Sequence, residues 1–571
     1  MVSVILNWIY IIITTFVVGY GVLRFLTRHL PYPAKNAVAS DRMSWQPDAY
    51  VMCGLVCVTV YAQFFSLFSG VGLWANLILC VVCIGIFMRE REGIFETLTR
   101  YLSWKFCAVI ALFFLFAYGT SRGTPHYDTA LYHAQSIRWI EAYGAVKGLG
   151  NLHCRLAYNS ASFVLSALYS MAFLGRGSFH CVAGFLAFVL AAGNMRLADS
   201  LRERKLRASD FARVMCVYYL VNIFDEMISP ASDYFMVLIA FYIVITWLSL
   251  AERGEKEIFP YALLCVLSVF LLTVKLSAAL ILLLTIYPAC RLVKEKRWRE
   301  SGVYLGLGFL TALPFFIRNV ILSGWLVYPF TSIDLFDVIW KIPKGVADYD
   351  AREIQVWGRG YSDVTRFDMP MREWLSGWFR MLAGSDKLFV LMAVLAVAVL
   401  LLQAVYVLWR WSRRQTTAGS SATCESTLSP ALLTAQATVA ASFLFWLCTS
   451  PLIRYGCVYV YLTPAVVFGG IYAAICRRRA FGSIVCAAVC LLLVYKAFAL
   501  GRGIISSHEN AYWLLQKDYE NFAVDACEIE GVIFYYPAQG DQTGYDAFPS
   551  APAKPQIAFL GTELADGFRA E

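Results

Sequence analysis

Three of the six histidines fall between positions 126 and 153, in the pattern His126-Tyr-Asp128, His133 and His153. A carboxylate in that company can take a proton from a hydroxyl, and imidazoles can orient or relay it. Farther along, Asp233 follows Ser229-Pro-Ala-Ser, and Lys275 interrupts a run that is otherwise apolar. Arg318-Asn319 and Arg454-Tyr455 close two more apolar runs. A guanidinium grips phosphate bidentately and an ammonium holds it as a point charge. Lys275, Arg318 and Arg454 therefore read as candidate phosphate ligands, and Asp128 as a candidate base.

Each residue also has a plainer role open to it. Asp128 opens a stretch of helical periodicity, 128–143, and can act as its N-cap. The histidines can be ordinary hydrogen-bonded loop residues. Asp225-Glu226 fits a solvated turn, and Lys275 can snorkel to lipid headgroups. Trp340, Trp357, Tyr361, Trp374 and Trp378 lie in one long loop, where aromatic rings can stack on sugars. For Trp374 and Trp378 an interfacial belt is the expected role.

The elements that must position these groups are membrane helices. Apolar residues make up 59% of 571 and charged residues 15%, more apolar surface than a soluble chain can bury. The apolar runs are continuous, not alternating, which excludes a β-barrel. The expectation is an all-α polytopic membrane protein with about fourteen spans: 4–26, 49–68, 72–88, 104–119, 178–194, 211–227, 233–250, 258–274, 277–290, 301–318, 388–409, 429–448, 457–474 and 481–499.

The net charge of +9 gathers in clusters at 24–42, 89–105, 202–207, 291–299, 410–414 and 477–479. Assigning them all to the cytoplasm gives a consistent multi-pass topology in the cytoplasmic (inner) membrane, with both termini external. Nucleic acid is excluded as a partner, because no basic surface domain exists to bind it. Residues 1–103 read as accessory spans, 104–499 as a core with external loops 120–177 and 319–387, and 500–571 as an external segment. Within 128–143, Leu131, Ile137, Trp139 and Ile140 form an apolar stripe, and Gly144 ends the helix. The apolar stretch 157–174 is read as a helix lying against or dipping into the outer leaflet. In the last segment 531–537 reads as a strand, and the whole packs on the bundle as a lid. The seventeen cysteines show no CxxC or metal-ligand spacing. No phosphate-binding glycine loop is present, so an ATP-driven pump is disfavoured. Polar residues gather on one face and no internal repeats are evident, which argues against a transporter.

The order of Tyr127-Asp128, the amphipathic stretch 129–143, Lys275-Leu-Ser, Arg318-Asn319…Gly324…Tyr328-Pro329 and Pro451…Arg454-Tyr455-Gly456 resembles the GT-C superfamily of integral-membrane glycosyltransferases. Lipid-dependent aminoarabinose and mannose transferases are the members it looks most like. Gly-Leu-Gly-Asn-Leu-His153 and Gly540-Asp-Gln-Thr-Gly-Tyr-Asp-Ala-Phe-Pro-Ser550 look like segments of a group of bacterial multispan proteins. The resemblance spans roughly 104–475. It implies a polyprenyl-phosphate-linked sugar as donor and a glycan or lipid as acceptor, both among membrane lipids, with inversion at the sugar carbon. Asp128 would be the base, with Lys275, Arg318 and Arg454 neutralising the leaving phosphate. His126, Tyr132, His133, Asp233, Asn319 and Tyr455 would orient the substrates. Superfamily members often carry a pair of acids in the first loop where this chain has one clear acid. No cofactor is implied, and a divalent cation is left open. A polysaccharide polymerase or ligase would share the substrates but rely on arginines and histidine.

Overall fold

The structure, a computed structural model, describes residues 1–30, 45–100, 104–175, 177–416, 429–475, 479–507 and 512–571. Lys35, Arg42, Arg176, Arg477 and Arg478 lie outside the described residues. In chain order the helices begin α1 (Val2–His29), α2 (Pro47–Phe65), α3 (Leu73–Arg100), α4 (Trp104–Ser121), α5 (Ala134–Ala142), α6 (Leu149–Leu152) and α7 (Ala161–Tyr169). They continue with α8 (Val182–Asn194), α9 (Arg196–Glu203), α10 (Ala208–Asn222), α11 (Ser232–Glu252), α12 (Ile258–Val274), α13 (Ile286–Lys294) and α14 (Trp298–Ser323). The last are α15 (Lys344–Gly358), α16 (Met371–Met381), α17 (Gly384–Thr416), α18 (Pro430–Thr449), α19 (Ile453–Ile475) and α20 (Arg479–Ser506). Two short antiparallel pairs follow, β1 (Val524–Ile529) with β2 (Val532–Pro537) and β3 (Ile557–Phe559) with β4 (Phe568–Ala570).

Every predicted span is helical. Among the described residues eleven helices are long and apolar enough to cross a membrane. The remaining three predicted spans, 104–119, 211–227 and 258–274, are the shorter α4, α10 and α12. The strands correct the all-α expectation, and β2 falls on the stretch read as a strand.

Close contact between helices is made where side chains are small. At the crossing of α1 and α2, a Cβ on Gly19 would strike the Tyr50 carbonyl and one on Gly54 the Thr15 carbonyl. Small residues at such a crossing let the two backbones approach, and dispersion then supplies the attraction. Trp8 of α1 is fully buried against Phe113, Phe185 and Phe188, with ring centroids 5.5–5.9 Å away.

Two expectations about surface elements do not hold. All nine residues of α7 are buried, so this helix is packed on every side by protein instead of lying on lipid. Trp374 and Trp378 are only 2% and 4% exposed. They meet edge to face in sequence, Trp374 on Trp378 and Trp378 on Trp446, and the Trp378 indole donates to the Pro451 carbonyl (2.8 Å). A lipid-facing belt is thereby replaced by an aromatic core under the long loop.

The polar groups segregate along single helices. Asp233 opens α11, and Arg253 follows its other end; α14 runs from Trp298, beside Arg297, to Arg318 and Asn319. At the basic end, buried Glu90 of α3 gathers Arg24 (3.1 Å) and Arg28 (3.2 Å) of α1. At the other end the start of α1 meets the beginning of the last segment, the Val2 and Ser3 amides donating to the Trp513 and Leu514 carbonyls.

The last segment does pack on the bundle. Its docking point is α5 and the turn before it. Gln135 donates to the Gly544, Tyr545 and Ala547 carbonyls at 2.8–3.2 Å, and the Tyr545 hydroxyl donates to Glu141 (2.6 Å). Arg138 lies over the Tyr545 and Phe548 rings, 4.8 Å from each centroid. Gln516 bridges the Thr120 and His180 carbonyls while accepting from the His180 amide (3.0 Å). His180 is 3% exposed, stacks on Tyr519 and sits near Lys517, and burial pulls its pKa from 6.5 to about 4. A histidine held neutral by the fold binds its proton more tightly when unfolded, so stability falls as pH drops from about 6.5 toward 4. For His180 the loss reaches about 3 kcal/mol at the lower limit. Thermal unfolding between pH 7.5 and 4.5 should show this decline, and His180→Gln should flatten it.

Candidate functional site

The first loop is pinned before it reaches the histidines. Arg122 pairs with Asp225 (2.9 Å) and donates to the Ser507 carbonyl (2.6 Å), and the Thr124 amide donates to the Asp225 carbonyl (2.7 Å). The chain then enters a π turn, Thr129–His133, instead of starting directly as an α-helix. The extra residue in such a turn widens it and frees backbone and side-chain direction, a device frequent at functional sites. Thr129 meets the Ser229 hydroxyl at 2.7 Å, which fixes the turn to the start of α11. Asp128 precedes the turn and makes no capping bond with its side chain. Its carboxylate turns instead to Arg454, with Oδ2 3.0 Å from the guanidinium.

Arg454 and Tyr455 come from a broken first turn of α19. Gly456 leaves helical geometry there, at φ −153° and ψ 17°. The reason is space: a Cβ on Gly456 would run into the Trp446 indole, whose Nε1 donates to the Leu452 carbonyl (2.9 Å). The same guanidinium donates to His126 Nε2. A neutral ring can accept that bond, since a guanidinium only donates. Burial favours that state and lowers the His126 pKa, partly offset by Asp128.

A second ion pair completes the cluster. Lys275, at the end of α12, binds Asp233 at the start of α11. Its ammonium lies 4.5 Å from the centroid of the Tyr455 ring, and Arg454 lies 5.1 Å from the same centroid. Tyr455 thus joins the two pairs by cation–π contact.

Beside this cluster is a cavity of about 250 Å3. Asp128, Tyr132, Asp233, Lys275, Asn319 and Tyr455 all line it. Leu272, Val274, Leu276, Phe315, Phe445 and Trp446 add apolar surface to the same lining. Asn319 holds the following turn through the Leu326 carbonyl (3.0 Å).

Five sequence candidates, His126, His133, His153, Arg318 and Arg454, are not among the cavity's lining residues. His126 lies beyond Arg454. His133 is 1% exposed, packed against Phe163 and Tyr132, with no hydrogen bond to Nδ1. Arg318 is also 1% exposed and borders a separate void of about 10 Å3. It donates to Ser66 and to Asn159 (3.1 Å), and among the described residues no carboxylate pairs with it. His153 turns back on its own chain, accepting from the Arg155 amide (3.2 Å).

Sequence reasoning named Tyr328 only within a motif and missed Arg155 and Tyr158 of the cavity. Arg155, Tyr158 and Tyr328 line it. Arg155 pairs with Glu353 of α15 (3.2 Å) and stacks over Trp357 (5.0 Å). Tyr158 and Tyr328 both donate to Asp350 (2.7 and 2.9 Å), a carboxyl only 2% exposed whose pKa burial raises. The available signal was position, since Arg155 follows His153 by two residues. Among the described residues no three of His, Cys, Asp and Glu converge closely enough to hold a metal ion.

The wall therefore presents two carboxylates, Asp128 and Asp233, and two cations, Lys275 and Arg155, each already partnered. Such a site can hydrogen-bond hydroxyls through the acids, and an entering anion can compete for the cations. Gly456→Ala should overpack Trp446 and destabilise the chain by about 1–3 kcal/mol. Thermal unfolding checks this through a lowered midpoint for the variant.

No curated protein and no solved structure matches the chain. A model of the family described as a domain of unknown function, DUF8201, matches residues 1–461. That stretch includes every residue of the two ion pairs and stops short of the strand-bearing tail. The chain belongs to the DUF8201 family.

Proposed function

We propose that this protein is a membrane glycosyltransferase of GT-C type. It moves a sugar from a polyprenyl-phosphate donor to an envelope glycan or lipid acceptor, with inversion. The observation that carries the reading is a cavity whose lining divides between ionised side chains, Asp128, Asp233, Lys275 and Arg155, and apolar ones such as Leu272, Phe315 and Phe445. A lipid-linked phosphosugar has that same division. In this reading α4, α10 and α12 join the eleven long helices to make about fourteen crossings of the cytoplasmic membrane. The basic clusters face the cytoplasm, and the site and both termini lie outside.

The chemistry follows from the pairing. In the free protein the acids and cations neutralise one another, which limits the cost of holding charge in an apolar bundle. A donor phosphate draws Arg454 and Lys275 toward itself and releases Asp128 and Asp233 to the substrate hydroxyls. Asp128 takes the acceptor proton as the acceptor oxygen attacks the sugar carbon. The bond from that carbon to the phosphate oxygen breaks, and the electron pair leaves with the lipid phosphate, whose charge the two cations neutralise. Arg318 acts at one remove by holding Asn159, a cavity residue.

One feature favours a second reading, a polysaccharide polymerase or ligase. Arg454 is bound to His126 as well as to Asp128, and an arginine–histidine pair is the equipment that class relies on. Mass spectrometry of lipid-linked saccharides and envelope glycans, in a strain lacking the gene, separates the two. A glycosyltransferase predicts loss of one sugar from a saccharide, restored by wild type and reduced about 10²–10⁴-fold with Asp128→Asn. Restoration by both versions would overturn the base assignment and favour the polymerase.

A further inference from the structure

A larger cavity, of about 460 Å3, lies toward the basic end of the helices, between α1, α2, α11, α12 and α14. Val56 and Val60 of α2, Leu263 and Leu267 of α12, and Leu307 and Leu310 of α14 form its apolar walls. Leu310 is half exposed, so the cavity is open sideways, where a membrane would place acyl chains. Its charged groups collect at one end. Asp48 lies in the first turn of α2, Arg196 starts α9, and Arg253 and Glu255 follow α11. Arg196 and Asp48 are 3.2 Å apart. Arg253 bonds only its own helix carbonyl at Ser249 (3.0 Å), and Glu255 accepts from the Glu257 amide (2.8 Å). Neither joins an ion pair among the described residues.

The shape is that of a lipid site: an apolar crevice that a hydrocarbon chain can fill, with a polar mouth. The charges at the mouth choose the headgroup. Two guanidiniums suit a phosphate, but the two carboxylates beside them repel a headgroup that is purely anionic. A headgroup that carries both phosphate and ammonium satisfies all four. We propose that this crevice binds one zwitterionic, amine-bearing phospholipid. Its chain lies along α2 and α14, its phosphate at Arg196 and Arg253, and its ammonium at Asp48 and Glu255. This site is independent of the catalytic reading and sits at the other end of the same helices.

The test is native mass spectrometry of the full chain from nanodiscs holding equal parts phosphatidylethanolamine, phosphatidylglycerol and cardiolipin. One phosphatidylethanolamine should stay bound after bulk lipid is stripped. Arg253→Ala, at an exposed position, should lower that retention about tenfold, the worth of one charge-assisted contact. Val56→Trp should abolish it by filling the crevice. Cys57 lines the same crevice, so in detergent its alkylation should slow when phosphatidylethanolamine is added. Preferential retention of an anionic lipid, or retention and Cys57 labelling that ignore phosphatidylethanolamine and both variants, would overturn the proposal.

Discussion

A charge at the end of an apolar helix bundle needs a counter-charge, and that need organises one whole end of this molecule. Asp128 answers Arg454, and Asp233 answers Lys275. The first pair ties the first loop to α19, and the second ties α11 to α12. Breaking one partner from such a pair leaves an uncompensated ion, a loss of about 3–5 kcal/mol when fully buried. With side chains 10–29% exposed, these pairs stand nearer the lower figure. Tyr455, touched by both cations, makes the two pairs one unit. The tail then closes over the outer side of the same loop, so Asp128 is held between α19 and the segment that carries the strands.

The opposite end follows a different rule. Its arginines and lysines meet partners too, as at Glu90 and Asp48, but the larger crevice there is apolar and open sideways. In the proposed reading, one end takes the polar part of a lipid-linked substrate and the other takes a phospholipid.

Much of this was readable in the chain. Length and apolarity need no knowledge of contacts, so eleven of the fourteen expected spans fall on helices long and apolar enough to cross a membrane. Asp233 stood out because it opens a long apolar run and Lys275 because it interrupts one, and ions in such places require partners. Their mutual pairing was not legible, because sequence does not say which helix ends meet. Asp128 as an N-cap was the natural local reading, and it lost to a partner 326 positions away. Arg155, Tyr158 and Asp350 were missed because none of them departs from its local pattern. Trp374 and Trp378 were misplaced because an aromatic pair in a long loop reads alike whether it meets lipid or Trp446.

The most direct test of the account is a cryo-EM structure in nanodiscs with a polyprenyl phosphate bound. The account predicts phosphate density between Lys275 and Arg454, with the chain leaving past Leu276 and Phe315 and the Asp128–Arg454 pair opened. Phosphate bound elsewhere, or an Asp128–Arg454 pair unchanged in the complex, would contradict it.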